Sequence, residues 1–376
     1  MSNKPRILIL TDWFTPGFKA GGPIRSVQNL VDALKNEVDF SILTSDRDLL
    51  DANPYHGIEA NQWIDRGGYR VMYLSPERLS HEIRTTLESN EFDKVYLNSF
   101  FSVAFTLKPL LKLWKLRLLS KVILAPRGML GEGALSIKPR KKKLFLFLFK
   151  SLGIHRRIAF HSTDVSETKS IQAVLGQVKL TEVMNIPVQV AEDAVHSRHE
   201  PLRIIFASRI SPKKNLHLLL ELATQSTRPF ELNVFGAADD QDYYDRCLQI
   251  TSDDGRIRFH GAVTPEELKQ QLEASDLCVL PTRNENFGHS IIEALAVGTP
   301  VIISDQTPWN DLEAAGAGWV IPLQDHARWA STLELATHMP TEEFQRMSQQ
   351  AQEYVRGKFD FEELRKRYKT LFGAQN

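Results

Sequence analysis

Apolar residues in the first half of the chain fall in short continuous runs separated by helical spacings. The runs Arg6–Leu10, Asp39–Leu43, Arg70–Leu74, Lys94–Leu97, Lys121–Leu124 and Ile158–His161 predict strands, several of them unbroken as in strands buried on both faces. Between the first two, Ile24, Val27, Leu30, Val31 and Leu34 share one face of a helix. The pattern restarts with Arg203–Ala207, Glu231–Phe235, Arg256–Phe259, Leu277–Leu280, Val301–Ser304 and Trp319–Ile321. A helix start follows Ala262, where Thr264 and Glu267 form a capping box and Pro265 takes the first helical position. Strand–helix alternation of this kind predicts βαβ units on parallel sheets, an α/β protein with two doubly wound domains. The polar, aperiodic stretch at 191–200 separates the two sets and reads as a linker.

Length agrees. A chain of 376 residues exceeds the ~250–300 residues at which single cores stop growing. Hydrophobic content of 42% and charged content of 24% are those of a folded globular chain. Lys+Arg and Asp+Glu both number 46, and this balance argues against a nucleic-acid partner. Cys247 and Cys278 are too few for a disulfide framework and suit a reducing compartment. The apolar stretch Ile7–Leu10 is too short for a signal peptide, and no run is long enough to span a bilayer. The expectation is a cytoplasmic protein.

Candidate chemistry sits where strands hand over to helices. Pro281–Pro300 follows a strand and opens a helix, the carboxyl-edge position at which open α/β sheets bind ligands. Gly288 allows close backbone approach, and the amides of Gly288, His289 and Ser290 predict an anion site. Glu285 and Glu293 border the same turn, and carboxylates suit sugar or ribose hydroxyls. Arg209 and Lys214 flank a second such turn, two cations suited to a diphosphate. A third turn carries Gly21-Gly22-Pro23, which is neither a dinucleotide fingerprint nor a Walker loop. Ordinary alternatives stand beside each reading: solvated glutamates, a solvated basic turn, and a plain strand-to-helix turn.

Together the three turns resemble the retaining glycosyltransferases of family 4, with Glu285 and Glu293 as the E-x7-E pair and Arg209 and Lys214 as the Arg-x4-Lys pair. The resemblance spans nearly the whole chain and implies the GT-B architecture, two Rossmann-like doubly wound parallel-sheet domains facing a central cleft. It implies an acceptor domain at 1–190 completed by a C-terminal helix at 358–376, and a nucleotide-sugar donor domain at 201–357. Carried over, Arg209 and Lys214 neutralise the donor diphosphate, and Glu293 holds the ribose hydroxyls. Glu285 and the amides of Asn286, Phe287, Gly288 and His289 face the donor sugar, with Ser290 also in the donor-binding set. Val263 lies beside the nucleobase, and in the glycine loop Gly21-Gly22, also assigned to donor binding, Gly22 packs against the phosphates and the acceptor. Ser208 stands where the family usually has glycine, Asn185-Ile186 where Asn-Gly is usual, and Pro126-Arg127-Gly128 where a histidine often precedes glycine. Arg127 cannot act as a general base, because a guanidinium stays protonated. Its expected role is electrostatic orientation of acceptor or donor; a surface ion pair to Glu132 is the alternative.

Asp46-Arg-Asp48 and Asp240-Gln-Asp242 have the D-x-D spacing of metal-dependent glycosyltransferases. With two side-chain cations available for the diphosphate, the expectation is a metal-independent enzyme without a cofactor. The basic run leading into apolar residues over Lys138–Lys150 is a candidate contact with an anionic membrane surface; a buried helix or strand with a solvated basic approach is the alternative. The implied activity is transfer of a sugar from a nucleotide-sugar donor to a glycan or lipid-linked acceptor in bacterial surface-polysaccharide assembly. A nucleotide-sugar epimerase of the same fold, or a non-catalytic nucleotide-sugar binder, fits the same motifs.

Overall fold

The strands expected from continuous apolar runs pair into two separate sheets in the computed structural model, which describes residues 4–136, 139–190, 198–251 and 254–374. One unit comprises Met1–Ile186 with Phe361–Asn376, the other Pro187–Asp360.

The first unit holds a sheet of eight strands among the described residues: β1 (Arg6–Leu10), β2 (Asp39–Ser45), β3 (Trp63–Asp65), β4 (Tyr69–Leu74), β5 (Lys94–Leu97), β6 (Val122–Leu124), β7 (Ala159–Ser162) and β8 (Lys179–Glu182). Their order is β3-β4-β2-β1-β5-β6-β7-β8, parallel throughout except for the β3–β4 pair. From β1 the chain builds outward on one side and then returns to β5 on the other. The carboxyl ends of β1 and β5 therefore flank the switch point. Helices α1 (Gly22–Leu34), α2 (Leu79–Ser89), α3 (Lys108–Lys115), α4 (Glu132–Ser136), α5 (Pro139–Ser151) and α6 (Val165–Leu175) connect the strands. The α1 residues at the expected spacing, Ile24, Val27, Leu30, Val31 and Leu34, are all buried.

The second unit repeats the scheme with β9 (Leu202–Ala207), β10 (Phe230–Phe235), β11 (Ile257–Gly261), β12 (Leu277–Leu280), β13 (Val301–Ser304) and β14 (Gly318–Ile321). The order β11-β10-β9-β12-β13-β14 is parallel throughout, with the switch point between β9 and β12. Its helices are α7 (Leu216–Gln225), α8 (Gln241–Ile250), α9 (Pro265–Glu273), α10 (His289–Ala296), α11 (His326–His338) and α12 (Thr341–Lys358). The Thr264–Glu267 capping box opens α9 in both directions. Of the stretch read as a linker, 191–197 lies outside the described residues; next to it, His199 bonds through its backbone N–H to Asp276 at 2.9 Å.

Helix α13 (Phe361–Phe372) then returns to the first unit. The Phe372 ring meets Phe40 and Tyr96 edge-on, and Tyr368 meets His161. Arg365 and Lys369 both reach Glu37 at 2.7 Å. Two strands escaped the sequence pattern. β3 is a three-residue antiparallel edge, and β8 is an edge strand with no fully buried position, so neither carries a continuous apolar run. Lys121, read as the start of a strand, ends a 3₁₀ turn instead.

Candidate active site

In the second unit, four adjacent strands end along one edge and deliver the predicted residues there. Past β9 comes Ser208-Arg209, with Lys214 just before α7; past β12 comes the loop to α10. The turn after β9 is tied to its neighbour by Ser208 N–H to Phe235 O at 3.0 Å and Ile210 N–H to Ala237 O at 2.8 Å. Gly236 makes this closeness feasible. Its φ is +151°, and a Cβ there would stand 1.9 Å from Ser208 O. Sequence reading passed over Gly236, although a glycine directly after a buried strand was the available signal.

Both cations face acids. Arg209 Nη1 lies 2.9 Å from Asp239 Oδ2, a half-exposed pair. Asp239 was missed because the D-x-D spacing drew attention to Asp240, which caps α8 by accepting from Tyr243 N–H at 2.9 Å. The Lys214 ammonium contacts Glu285, with side chains only 14% and 16% exposed. Burial alone would raise the Glu285 carboxyl, but the ammonium groups of Lys214 and Lys213 more than offset it and hold the acid below its ordinary range. Glu285 is therefore ionised, and its backbone N–H bonds to Gln306 O at 3.0 Å. The two loops are further laced by Arg283 N–H to Lys213 O at 2.8 Å and Arg283 Nε to Asn215 at 3.1 Å.

Gly288, with φ +79°, is the N-cap of α10. A Cβ there would also stand 2.9 Å from Ile291 Cδ1 and 3.1 Å from Glu285 Cγ, so glycine is required twice over. Asn286, His289 and Ser290 surround this helix start, whose backbone dipole favours an anion. Phe287 is different: its ring is buried and packs edge-on against Trp309 at 5.3 Å. The Trp309 Nε1–H donates to Phe287 O at 2.5 Å and fixes that backbone. Glu293 is buried one turn into the helix. Burial, and then the Glu293 charge, push the Cys278 thiol up to about 12, so it stays protonated. Val263 is half-buried just past β11.

Gly21, Gly22 and Arg127 belong to the first unit. Gly21, with φ +65°, is the N-cap of α1, and Gly22 is its first residue. Asp48 braces the loop before them by accepting from Phe18 N–H at 2.7 Å and Lys19 N–H at 3.0 Å. Asp46 pairs with Arg47 at 2.8 Å. The first D-x-D is thus engaged in bracing and pairing. Among the described residues no three His, Cys, Asp or Glu gather as a metal site would need.

Arg127 has φ +56° and is followed by Gly128 at +73°. Its Nε donates to Asn98 Oδ1 at 2.7 Å, Nη2 donates to the Tyr96 hydroxyl at 2.8 Å, and Nη1 contacts Asn185 Oδ1. Asn98 in turn donates to Pro23 O at 3.3 Å, linking the guanidinium to the glycine turn. The Tyr96 hydroxyl meets His161 Nδ1 at 2.7 Å, and His161 Nε2 meets Val183 O at 2.8 Å. Burial, with the Arg127 charge, drives His161 down to about 3, so the ring is neutral. The proposed partner Glu132 has no described side chain. Asn98 and Tyr96 were missed, and Asn185 was read only as a departure from the family pattern, since all three are remote from Arg127 in sequence.

The basic segment forms α5. Phe145 and Phe149 pack against Phe100 at 5.6 and 5.5 Å. The opposite face leaves Leu144 62% and Phe147 67% exposed, beside exposed Lys141 and Lys143. Lys138 lies outside the described residues. No helix among the described residues is long and apolar enough to cross a membrane.

Residues 190–354 match the family described as glycosyl transferases group 1. The matched segment contains the β9 and β12 turns with Arg209, Lys214, Glu285 and Glu293. Relatives similar to this segment include the amylovoran biosynthesis glycosyltransferase AmsK of Erwinia amylovora, 28% identical over 145 residues, 36% of this chain and 36% of that protein. The D-inositol 3-phosphate glycosyltransferase of Corynebacterium efficiens is 32% identical over 165 residues, 41% of this chain and 38% of that one. The match thus spans little more than a third of either relative. Among solved structures, Anabaena Alr3699/HepE in complex with UDP and glucose aligns over 99% of this chain and 100% of that one, with TM-score 0.74 and 15% identity. That likeness shows a shared fold, the two-Rossmann-domain GT-B architecture.

Proposed function

We propose that the protein is a retaining glycosyltransferase that moves a sugar from a nucleotide-sugar donor onto a glycan or lipid-linked acceptor in bacterial surface-polysaccharide assembly. One observation carries the reading: Lys214, Glu285 and the α10 N-terminus meet at the β9–β12 switch point, and Arg209 stands just past β9. Preplaced cations and helix amides lower the barrier where a leaving diphosphate gains charge. Asp239 and Glu285 pair with the two cations. A diphosphate would compete for them, freeing Glu285 to accept from hydroxyls of the donor sugar. Glu293 would hold the ribose, the Asn286–Ser290 backbone would face the sugar, and Val263 would lie beside the base. The UDP complex of HepE supports a uridine diphosphate donor.

Retention follows from front-face attack, with the departing phosphate oxygen taking the proton of the acceptor hydroxyl. Arg127 would act by orienting the glycine turn at Gly21-Gly22 through Asn98 rather than by exchanging protons. The enzyme would need no metal, since its side chains supply the positive charge. It would work in the cytoplasm at the inner face of the membrane, with the Lys138–Lys150 segment against anionic lipid. The test is incubation with a panel of nucleotide sugars, with and without membrane extract, following free nucleotide and sugar products. Acceptor-dependent release of nucleotide is expected. Turnover of the donor sugar without acceptor would establish an epimerase, and binding without turnover a scaffold; either overturns the proposal.

A further inference from the structure

The net charge of zero conceals a strong segregation. Between Val103 and Val165 the sequence has fourteen Lys and Arg against two acids, Glu132 and Asp164, a local net charge of +12. The same stretch carries exposed Val103, Leu111, Leu144, Phe147, Leu148 and Leu152. Exposed large apolar side chains among cations are what a helix lying on an anionic bilayer presents.

Within this face lies a groove of about 560 Å³, lined by Lys143, Leu146, Phe147, Lys150 and Ser151 of α5 and by Val174 of α6. Lys143, Phe147 and Lys150 stand one turn apart on α5, so two cations bracket one aromatic ring. The Lys150 ammonium donates one hydrogen to Val174 O at 3.0 Å, which fixes it at the rim and leaves two donors for an anion. Leu146, Phe147 and Val174 give the groove an apolar wall. Opposite charge at the rim and hydrocarbon along the wall together match one end of a phospholipid.

We propose that this groove seats the headgroup of one anionic phospholipid, its phosphate between Lys143 and Lys150 and its acyl chain along Phe147 and Leu146. The proposal rests on the membrane reading above and adds a discrete site to it. The groove makes Lys143 worth more than an equal charge elsewhere on the helix, whereas a diffuse surface would weigh all its lysines alike. The experiment is co-sedimentation of the full chain with mixed phosphatidylglycerol–phosphatidylcholine vesicles and with phosphatidylcholine alone. Lys141→Gln, outside the groove, should weaken binding about fivefold, the effect of one surface cation. Lys143→Gln should weaken it by more than ten times that. Val174→Gln, which narrows the groove without changing charge, should also weaken binding, at an unchanged thermal midpoint. Equal losses for Lys141→Gln and Lys143→Gln would overturn the groove site while leaving diffuse membrane attraction intact. Failure of the unaltered protein to bind the mixed vesicles would overturn the membrane reading itself.

Discussion

Replacing Lys214 by alanine separates what the Lys214–Glu285 pair does for the fold from what it does for chemistry. Both side chains are largely shielded, at 14% and 16% exposure. Breaking a buried pair from one side costs about 3–5 kcal/mol, because the remaining charge keeps its burial and loses its partner. Some water reaches this pair, so the lower end, about 3 kcal/mol, is expected. At roughly 2–4 °C per kcal/mol, the second unit should melt roughly 6–12 °C lower. Independently, loss of a cation from a developing diphosphate should slow transfer by about 10²–10³. Adding Glu285→Gln in the Lys214→Ala background removes the orphaned charge, so most of the stability should return while the rate does not. Acid unfolding adds a third reading. The folded Glu285 acid lies below its unfolded value, so its contribution is present above the unfolded range and disappears as pH falls through the folded value. Lys214→Ala removes the larger of the two ammonium charges that oppose burial, leaving Lys213, and should move that loss to higher pH. Calorimetry and nucleotide-release kinetics on the single and double variants settle the matter. Normal stability and normal turnover in Lys214→Ala would refute both halves of the reasoning.

Gly236→Ala places a Cβ against Ser208 O and should displace the turn that carries Arg209, lowering donor affinity measured by titration with UDP. Arg127→Ala leaves Asn98, Asn185 and Tyr96 without their shared donor and should lower both the thermal midpoint and transfer; Arg127→Lys should recover part of each, with no new ionisation in the pH–rate profile. Transfer should survive EDTA, and complete loss restored by magnesium or manganese would point to metal chemistry in place of the side-chain cations. Gly288→Ala should weaken donor binding and stability together, read by melting with and without nucleotide, since both its φ and its surroundings exclude a side chain.

Strands buried on both faces announced themselves. Runs such as Leu277–Leu280 and Val301–Ser304 have every residue inside, and their bounds agree with the observed strands. Edges were silent, because β8 needs no apolar continuity where solvent touches it. For the candidate site, the sequence revealed which residues stand at strand ends but not which touch. Lys214 and Glu285 are neighbours only because β9 lies beside β12, a pairing set by the switch in strand order. The same holds for Arg127, whose partners come from β5 and from Asn185 beyond β8. Asp48 shows the converse, a motif spacing whose carboxylate braces a loop.

The return of α13 to the first unit has a consequence for how the protein is made. A ribosome releases Met1–Ile186 first, yet the face on which Phe372 and Tyr368 settle stays bare until the final helix emerges. The intervening residues, Pro187–Asp360, take roughly 10–35 s to synthesise at bacterial to eukaryotic speeds. During that interval Phe40 and Tyr96 lack their ring neighbour. The half begun first therefore waits on residues made after the whole of the other half. A nascent chain stalled before Phe361 exposes an aromatic scar on its oldest part, the kind of surface that trigger-type chaperones hold and proteases find.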